Sequence, residues 1–349
     1  MNIEQIDYSS VIHNLKQKLE TVNDIETEAL TSIQEGKFPH LLAALPSILS
    51  GYDIFEDKIT SREDLAEYLN NRFQITDKKT AIEAIRVFLF ENTQLQYEQF
   101  KSFWDGNPVF ELKDLEEKSK DYFEKCMDFA HQFSNIVNEL GFAAFDYGEA
   151  IRMAKECYSI GYLEQEDYNF MINDIANRAF RQFDSFEEYA ISYLCGGTYF
   201  IYYSSGLQKE YADNMFQTLF GGISELFFKH EQIWKHYTWP TGKKYFPKLR
   251  ETRKLIEDTK GCLVSDRISI DGCPIGCMTR VDASEGNPDS GWQFFSGDES
   301  QEYMEDLTHV QVFSLNTLCN YDNHIIEHLQ EPTGSTLSRM PNGTFQKVN

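Results

Sequence analysis

Apolar positions in the first 240 residues recur at helical spacing. Val11, Leu15, Leu19 and Val22 share one face behind Ser9 or Ser10 as cap, and Gly36 closes the segment that follows. Ser61-Arg-Glu-Asp64 reads as a capping-box start for a helix that buries Leu65 and Leu69. Arg72 to Asp77 forms a short extended entry, with Thr76 placed to cap a helix reaching Glu91. Ile82, Ile85, Val87, Phe88 and Leu89 predict that this helix is well buried. The longest helical stretch is Lys113 to Gly141, striped by Tyr122, Cys126, Phe129, Phe133 and Val137. Further helices are predicted over Phe145 to Gly161, with Ile151, Ala154 and Tyr158 inward, and over Glu164 to Phe180. Ser185-Phe-Glu-Glu188 is a capping box opening a helix towards Phe200, and Lys209 to Trp234 supply the last. Gly196-Gly197 and Gly221-Gly222 lie inside these helices, where close packing explains glycine better than phosphate binding.

The pattern changes after Tyr237. Pro240, Gly242 and Pro247 accompany a basic cluster of Lys243, Lys244, Lys248, Arg250, Arg253 and Lys254, which reads as a solvated linker over 241–260. Aromatic residues are not interleaved with these bases as a stacking groove for nucleic acid requires. Beyond Gly261 short β-type runs take over. Cys262 to Val264 is one strand, Asp271-Gly272 a hairpin turn, and Cys273 to Val281 the partner. Trp292 to Phe295 and Val310 to Leu315 are two more, with a helical turn over Glu302 to Asp306 and a short helix over Asn323 to Leu329. The tail from Pro332, including Asn342-Gly343, reads as a packed loop. The expected architecture is α+β overall: a large all-α domain over 1–240, then a small α+β domain over 261–349 with an antiparallel sheet.

A chain of 349 residues fits two cores better than one. The start, MNIEQIDYSS, has neither a basic run nor an apolar one, and no apolar stretch reaches membrane-spanning length, so a soluble cytoplasmic protein is expected. The formal net charge of −24 argues against binding nucleic acid or an anionic membrane by the chain as a whole. It is compatible with plain solubility or with a basic partner.

No catalytic constellation emerges. The seven cysteines are odd in number and sit mostly in apolar runs, as small buried hydrophobes do. Cys273 and Cys277 are separated by three residues and lack a second ligand pair for zinc. His324-Ile-Ile-Glu-His328 has the form of an inverted zinc-peptidase motif, and on a helix its histidines would share one face, but no third ligand is evident. His230-Glu231 and His236 read as surface. No metal, cofactor or catalytic residue is assigned.

One stretch is more informative. Asp298, Glu299, Glu302, Glu305 and Asp306 follow directly on Trp292, Phe294 and Phe295. An aromatic anchor beside a rim of carboxylates suits a basic protein surface. The alternative is a tryptophan in the small domain's core with a solvated acidic loop beside it.

Val264-Ser-Asp-Arg267, Asp271-Gly272, Gly276, Arg280, Ser290-Gly-Trp292, Phe294-Phe-Ser-Gly-Asp-Glu299, Leu315-Asn316, Asn320-Tyr-Asp322 and Pro332-Thr-Gly-Ser335 together resemble domain of unknown function 2185. That family is also classed as immunity protein family 33 of bacterial polymorphic toxin systems. Upstream, Phe145-Asp-Tyr-Gly148, Gly161-Tyr-Leu163, Ser185-Phe-Glu-Glu188 and Ser192-Tyr-Leu-Cys-Gly196 resemble domain of unknown function 1266, a helical bacterial family whose beginning is similar to Arg72 to Leu89. Glu149 and Gly197 stand where that pattern leads one to expect arginine, and Phe186 where one expects tryptophan. The resemblance implies an immunity protein that binds and neutralises a cognate toxin without chemistry. Trp292, Asp298, Glu299, Glu302, Glu305 and Asp306 are the expected contacts. A metal-dependent hydrolase using His324 and His328, and a non-catalytic scaffold, are the other readings.

Overall fold

The computed structural model describes residues 6–23, 36–60, 62–229, 232–244, 254–257, 260–283 and 289–348, the side chains of 20–23 and 305 excepted. The chain divides into two compact units, Met1–Thr241 and Gly242–Asn349. Together they are α+β, with the helices concentrated in the first unit and a sheet in the second.

Among the described residues of the first unit the helices are α1 (Tyr8–Asn23), α2 (Phe38–Leu42), α3 (Ala44–Leu49), α4 (Leu65–Phe73), α5 (Lys78–Phe90), α6 (Thr93–Trp104), α7 (Glu117–Val137), α8 (Ala143–Ser159), α9 (Gln165–Gln182), α10 (Phe186–Ser204), α11 (Lys209–Phe228) and α12 (Ile233–His236). α8 is central, lying against α2, α3, α5, α6, α9 and α10. α10 is buried on nearly every side from Phe186 to Tyr199, because its apolar residues leave no polar face. The stripe on α7 is inward as expected: Cys126, Phe129, Phe133 and Val137 are buried and Tyr122 partly so. Ser185 Oγ accepts the Glu188 N–H at 3.1 Å, while the Glu188 carboxylate accepts the Asp184 N–H at 2.8 Å.

Local details depart from the sequence reading. Arg72 and Phe73 end α4 rather than forming an extended entry, and Asp77, not Thr76, caps α5 through a reciprocal pair with Thr80. α5 packs chiefly on α8, with Phe88 against Phe73 and Phe200, so Val87 and Phe90 stay exposed and only Ala81 and Ile85 are buried along it. α4 starts after Asp64, whose side chain makes no capping bond; Ser61 lies outside the described residues. A Cβ on Gly196, Gly197 or Gly222 would lie 2.5–2.8 Å from a neighbouring side chain, but Gly221 faces open space. Close packing therefore explains three of these four glycines.

The second unit holds a six-stranded sheet of order β4-β1-β3-β2-β5-β6. Its strands are β1 (Gly261–Ser265), β2 (Cys277–Arg280), β3 (Asp289–Phe295), β4 (Val310–Ser314), β5 (Thr336–Arg339) and β6 (Phe345–Lys347). β1 and β3 are parallel and the other neighbours antiparallel, so the sheet is mixed rather than purely antiparallel. The helices here are α13 (Asp266–Ser269), α14 (Gln301–Glu305) and α15 (Leu315–Tyr321). The hairpin expected at Asp271-Gly272 does not form. After β1 the chain coils into α13, and the Ile270 and Asp271 N–H groups return to the Asp266 carbonyl, so the turn closes a helix instead. The tail read as a loop contributes β5 and β6, with Asn342-Gly343 in the turn between them. Runs of three or four residues carry too little alternation to announce themselves.

Candidate functional site

The inward face of the sheet carries Cys262, Val264, Met278, Phe294, Leu337 and Phe345, packed with Ile268, Leu315, Leu318 and Ile325. Trp292 belongs to this core. It is 1% exposed, its indole N–H reaches the Leu329 carbonyl at 3.4 Å, and the Arg280 guanidinium lies over its ring at 5.6 Å. Trp292 therefore holds the unit together and presents nothing for a partner to touch, which corrects its assignment as an anchor.

Much of the surrounding signature is scaffolding too. A Cβ on Gly276 would lie 1.9 Å from the Ser296 carbonyl oxygen, and Gly291, at φ +74°, would place one 2.3 Å from that of Val281. Asn316 Oδ1 accepts the Leu255 and Ile256 N–H groups, and Asp322 pairs with Arg339.

The acidic residues sort by what they bind. Glu299 turns back on its own loop, accepting the Ser265 hydroxyl at 2.6 Å and the Ser296 and Gly297 N–H groups at 2.8 and 2.7 Å. Burial opposes its charge, but these donors outweigh burial and hold its carboxyl below the usual range. Asp298 is exposed and lies 2.7 Å from Arg267 Nη2; that bond, with one from Ser296, brings its carboxyl down to about 2. Asp306 is exposed and accepts the Thr308 N–H at 2.9 Å, which keeps its carboxyl low. Glu302 is exposed on α14, and the Glu305 side chain lies outside the described residues. Asp298, Glu302 and Asp306 are thus exposed, and Glu299 shapes the turn that carries Asp298.

Sequence reasoning missed the apolar side chains in the same stretch. Leu307 is 78% exposed, Val312 on β4 71% and Met304 on α14 42%. The alternation of Val310-Gln-Val312 would by itself turn Val312 inward, and only its place in the folded sheet leaves it exposed.

The two motif histidines do not share a face. Asn323–His328 is a 3₁₀ turn, and with three residues per turn positions four apart diverge by about 120°. His324 lies 3.1 Å from Asp322 and is exposed, whereas His328 packs edge-on against Phe345. No group of three or more His, Cys, Asp or Glu is placed to hold a metal ion among the described residues. Lys243, from the basic cluster, lies 2.6 Å from Asp266; Lys248, Arg250, Arg253, His230 and Glu231 lie outside the described residues.

The first unit contains a buried ionic cluster that the sequence did not announce. Arg152 on α8 donates to Glu149 from Nε at 2.9 Å and Nη2 at 2.7 Å, and to Glu156 from Nη1 at 2.5 Å. The Tyr193 hydroxyl donates to Glu149 at 2.6 Å and that of Tyr52 to Glu156 at 3.0 Å. Glu149, placed where arginine was expected, here serves as the partner of an arginine one turn on. A cavity of about 230 Å³ opens beside it, lined by Arg72, Glu149, Arg152, Tyr193 and several aromatic rings.

No helix among the described residues is long and apolar enough to cross a membrane. Residues 262–349 match the Immunity protein Imm33 domain, and residues 68–239 match the Protein of unknown function (DUF1266) family. No curated protein and no solved structure matches the chain. The immunity-domain match suggests a non-catalytic role. The chain therefore joins a helical region matching DUF1266 to a C-terminal region matching the Imm33 immunity-protein domain, and that match supports an immunity-protein role, which in general implies a toxin partner.

Proposed function

We propose that the protein is a cytoplasmic immunity protein that binds a cognate secreted toxin and neutralises it by occlusion, without chemistry of its own. The match of 262–349 to the immunity-protein domain carries this reading. The toxin is basic. A chain of net charge −24 attracts a positive protein, repels nucleic acid and anionic membranes, and its sequence carries Asp298, Glu302, Glu305 and Asp306 within nine residues. Glu299 contributes by holding the Ser296-Gly297 turn.

Co-expression with any secreted toxin found in the neighbouring open reading frames tests the reading: the wild-type chain restores growth, and failure to do so sinks it. Replacing Asp298, Glu302, Glu305 and Asp306 by their amides should slow association about tenfold at low salt and flatten its salt dependence. Unchanged association kinetics would take these carboxylates out of the interface.

A further inference from the structure

The cavity beside the buried ionic cluster is walled largely by aromatic rings. Tyr68, Phe73, Phe88, Phe200, Phe145 and Tyr193 follow one another around it, each ring centroid 5.2–6.2 Å from the next. Two guanidinium groups line it as well, Arg72 from the last turn of α4 and Arg152 from α8. Its described walls all belong to the helical unit.

Hydrogen-bonding capacity is left over in these walls. A guanidinium carries five N–H donors. Arg152 gives one from each nitrogen to Glu149 or Glu156, and the other two meet no acceptor among the described residues. Its side chain is 8% exposed, and an unmet donor is costly at such burial. Arg72 is exposed and has neither a hydrogen bond nor an ion pair among the described residues. Glu149, the carboxylate in the same wall, is engaged at both oxygens by Arg152 and the Tyr193 hydroxyl. Burial pushes Glu156, the other partner of Arg152, towards its neutral form. What the cavity offers is therefore one unpaired positive charge, spare donors and a flat apolar wall.

Size narrows the choice. A cavity of about 150 Å³ accommodates benzene, so one of about 230 Å³ takes roughly nine non-hydrogen atoms. We propose that this cavity binds a small aryl monocarboxylate, its carboxylate against Arg72 and the spare N–H groups of Arg152 and its ring against the aromatic wall. A planar carboxylate matches the guanidinium fork, and an aryl ring packs on other rings edge-on or offset. A phosphate or dicarboxylate brings more negative charge than one unpaired arginine offsets, and an ammonium would meet two guanidinium groups. This assignment is independent of the immunity reading.

The test titrates the full chain by calorimetry with benzoate, and with benzyl alcohol and benzylammonium as neutral and cationic counterparts of similar size. Benzoate should bind with a Kd of about 1 mM or lower, as suits so small a ligand. It should bind at least about tenfold more tightly than either counterpart, the worth of one charged hydrogen bond. Arg72→Gln should weaken benzoate at least about tenfold, and Arg72→Lys, which keeps the charge but loses the fork, by less. Arg72 has no partner to strand, so both variants should keep the wild-type unfolding midpoint. No benzoate binding up to about 10 mM, equal affinity for benzyl alcohol, or a preference for benzylammonium overturns the assignment. So does an Arg72→Gln chain that binds benzoate as the wild type does, because the carboxylate then sits elsewhere. Neutralisation of a toxin is a separate measurement, and its failure would leave this site untouched.

Discussion

Each unit places an arginine between two carboxylates, and the two clusters differ in almost everything else. Arg152 bridges Glu149 and Glu156 inside the helical unit; Arg267 bridges Asp271 at 2.9 Å and Asp298 at 2.7 Å at the surface of the small unit. The distances are similar, so geometry does not separate them. Solvent does. Burial opposes the charge on Arg152, but Glu149 and Glu156 outweigh it and hold the guanidinium charged, while burial pushes the Glu156 carboxyl up. Such a cluster adds little net stability over an apolar core of the same shape, yet breaking it strands a buried charge. Around Arg267 water replaces whatever a mutation removes.

The largest effect expected from breaking this symmetry is at Arg152. Arg152→Ala should destabilise the helical unit by about 3–5 kcal/mol, read as a lowered denaturation midpoint of the helical signal. A loss under about 1 kcal/mol would show that water reaches the cluster. A second buried carboxylate on α8 sharpens the contrast. Asp146 accepts the Gln94 N–H at 2.9 Å, the Thr93 hydroxyl at 2.7 Å and the Asn92 amide at 2.9 Å, and so caps α6 from outside that helix. Burial nevertheless pushes its carboxyl up to about 7 against those donors. A raised acid contributes stability below its unfolded value, near 4, and loses it as pH rises through about 7. Wild-type stability should therefore fall relative to Asp146→Asn between about pH 4 and 7, and a flat difference across that window would contradict the assignment. The smallest effect belongs to the surface cluster. Arg267→Ala should lower the thermal midpoint only slightly, because solvent screens this exposed pair, while the Asp298 carboxyl, followed by NMR titration, returns from about 2 towards the ordinary aspartate range. The sign is opposite to that of Asp146: a depressed carboxyl stabilises at neutral pH and loses its contribution as pH falls towards 2.

Most helices of the first unit were legible because a stripe such as Cys126-Phe129-Phe133-Val137 depends only on neighbours three and four residues away. The ionic cluster on α8 was not, since Glu149, Arg152 and Glu156 look like any solvated helix face until α10 brings Tyr193 and the stretch before α4 brings Tyr52 against them. In the small unit the strands at Cys262, Trp292 and Val310 were legible, but not their order. Trp292 illustrates the limit. The residue type and its neighbours fitted an anchor and a core residue equally, and the pairing of β3 with β1 and β2 decided for the core.

The sequence by itself determined where most helices and the strands at Cys262, Trp292 and Val310 lie, the acidity of the chain and the signature behind its C-terminal match, because each is written in residue types at short separation. Only the tertiary structure decided which charges are buried, that the sheet is mixed, and that β5 and β6 exist. Those properties depend on what lies opposite a residue, and spacing along the chain carries no information about that.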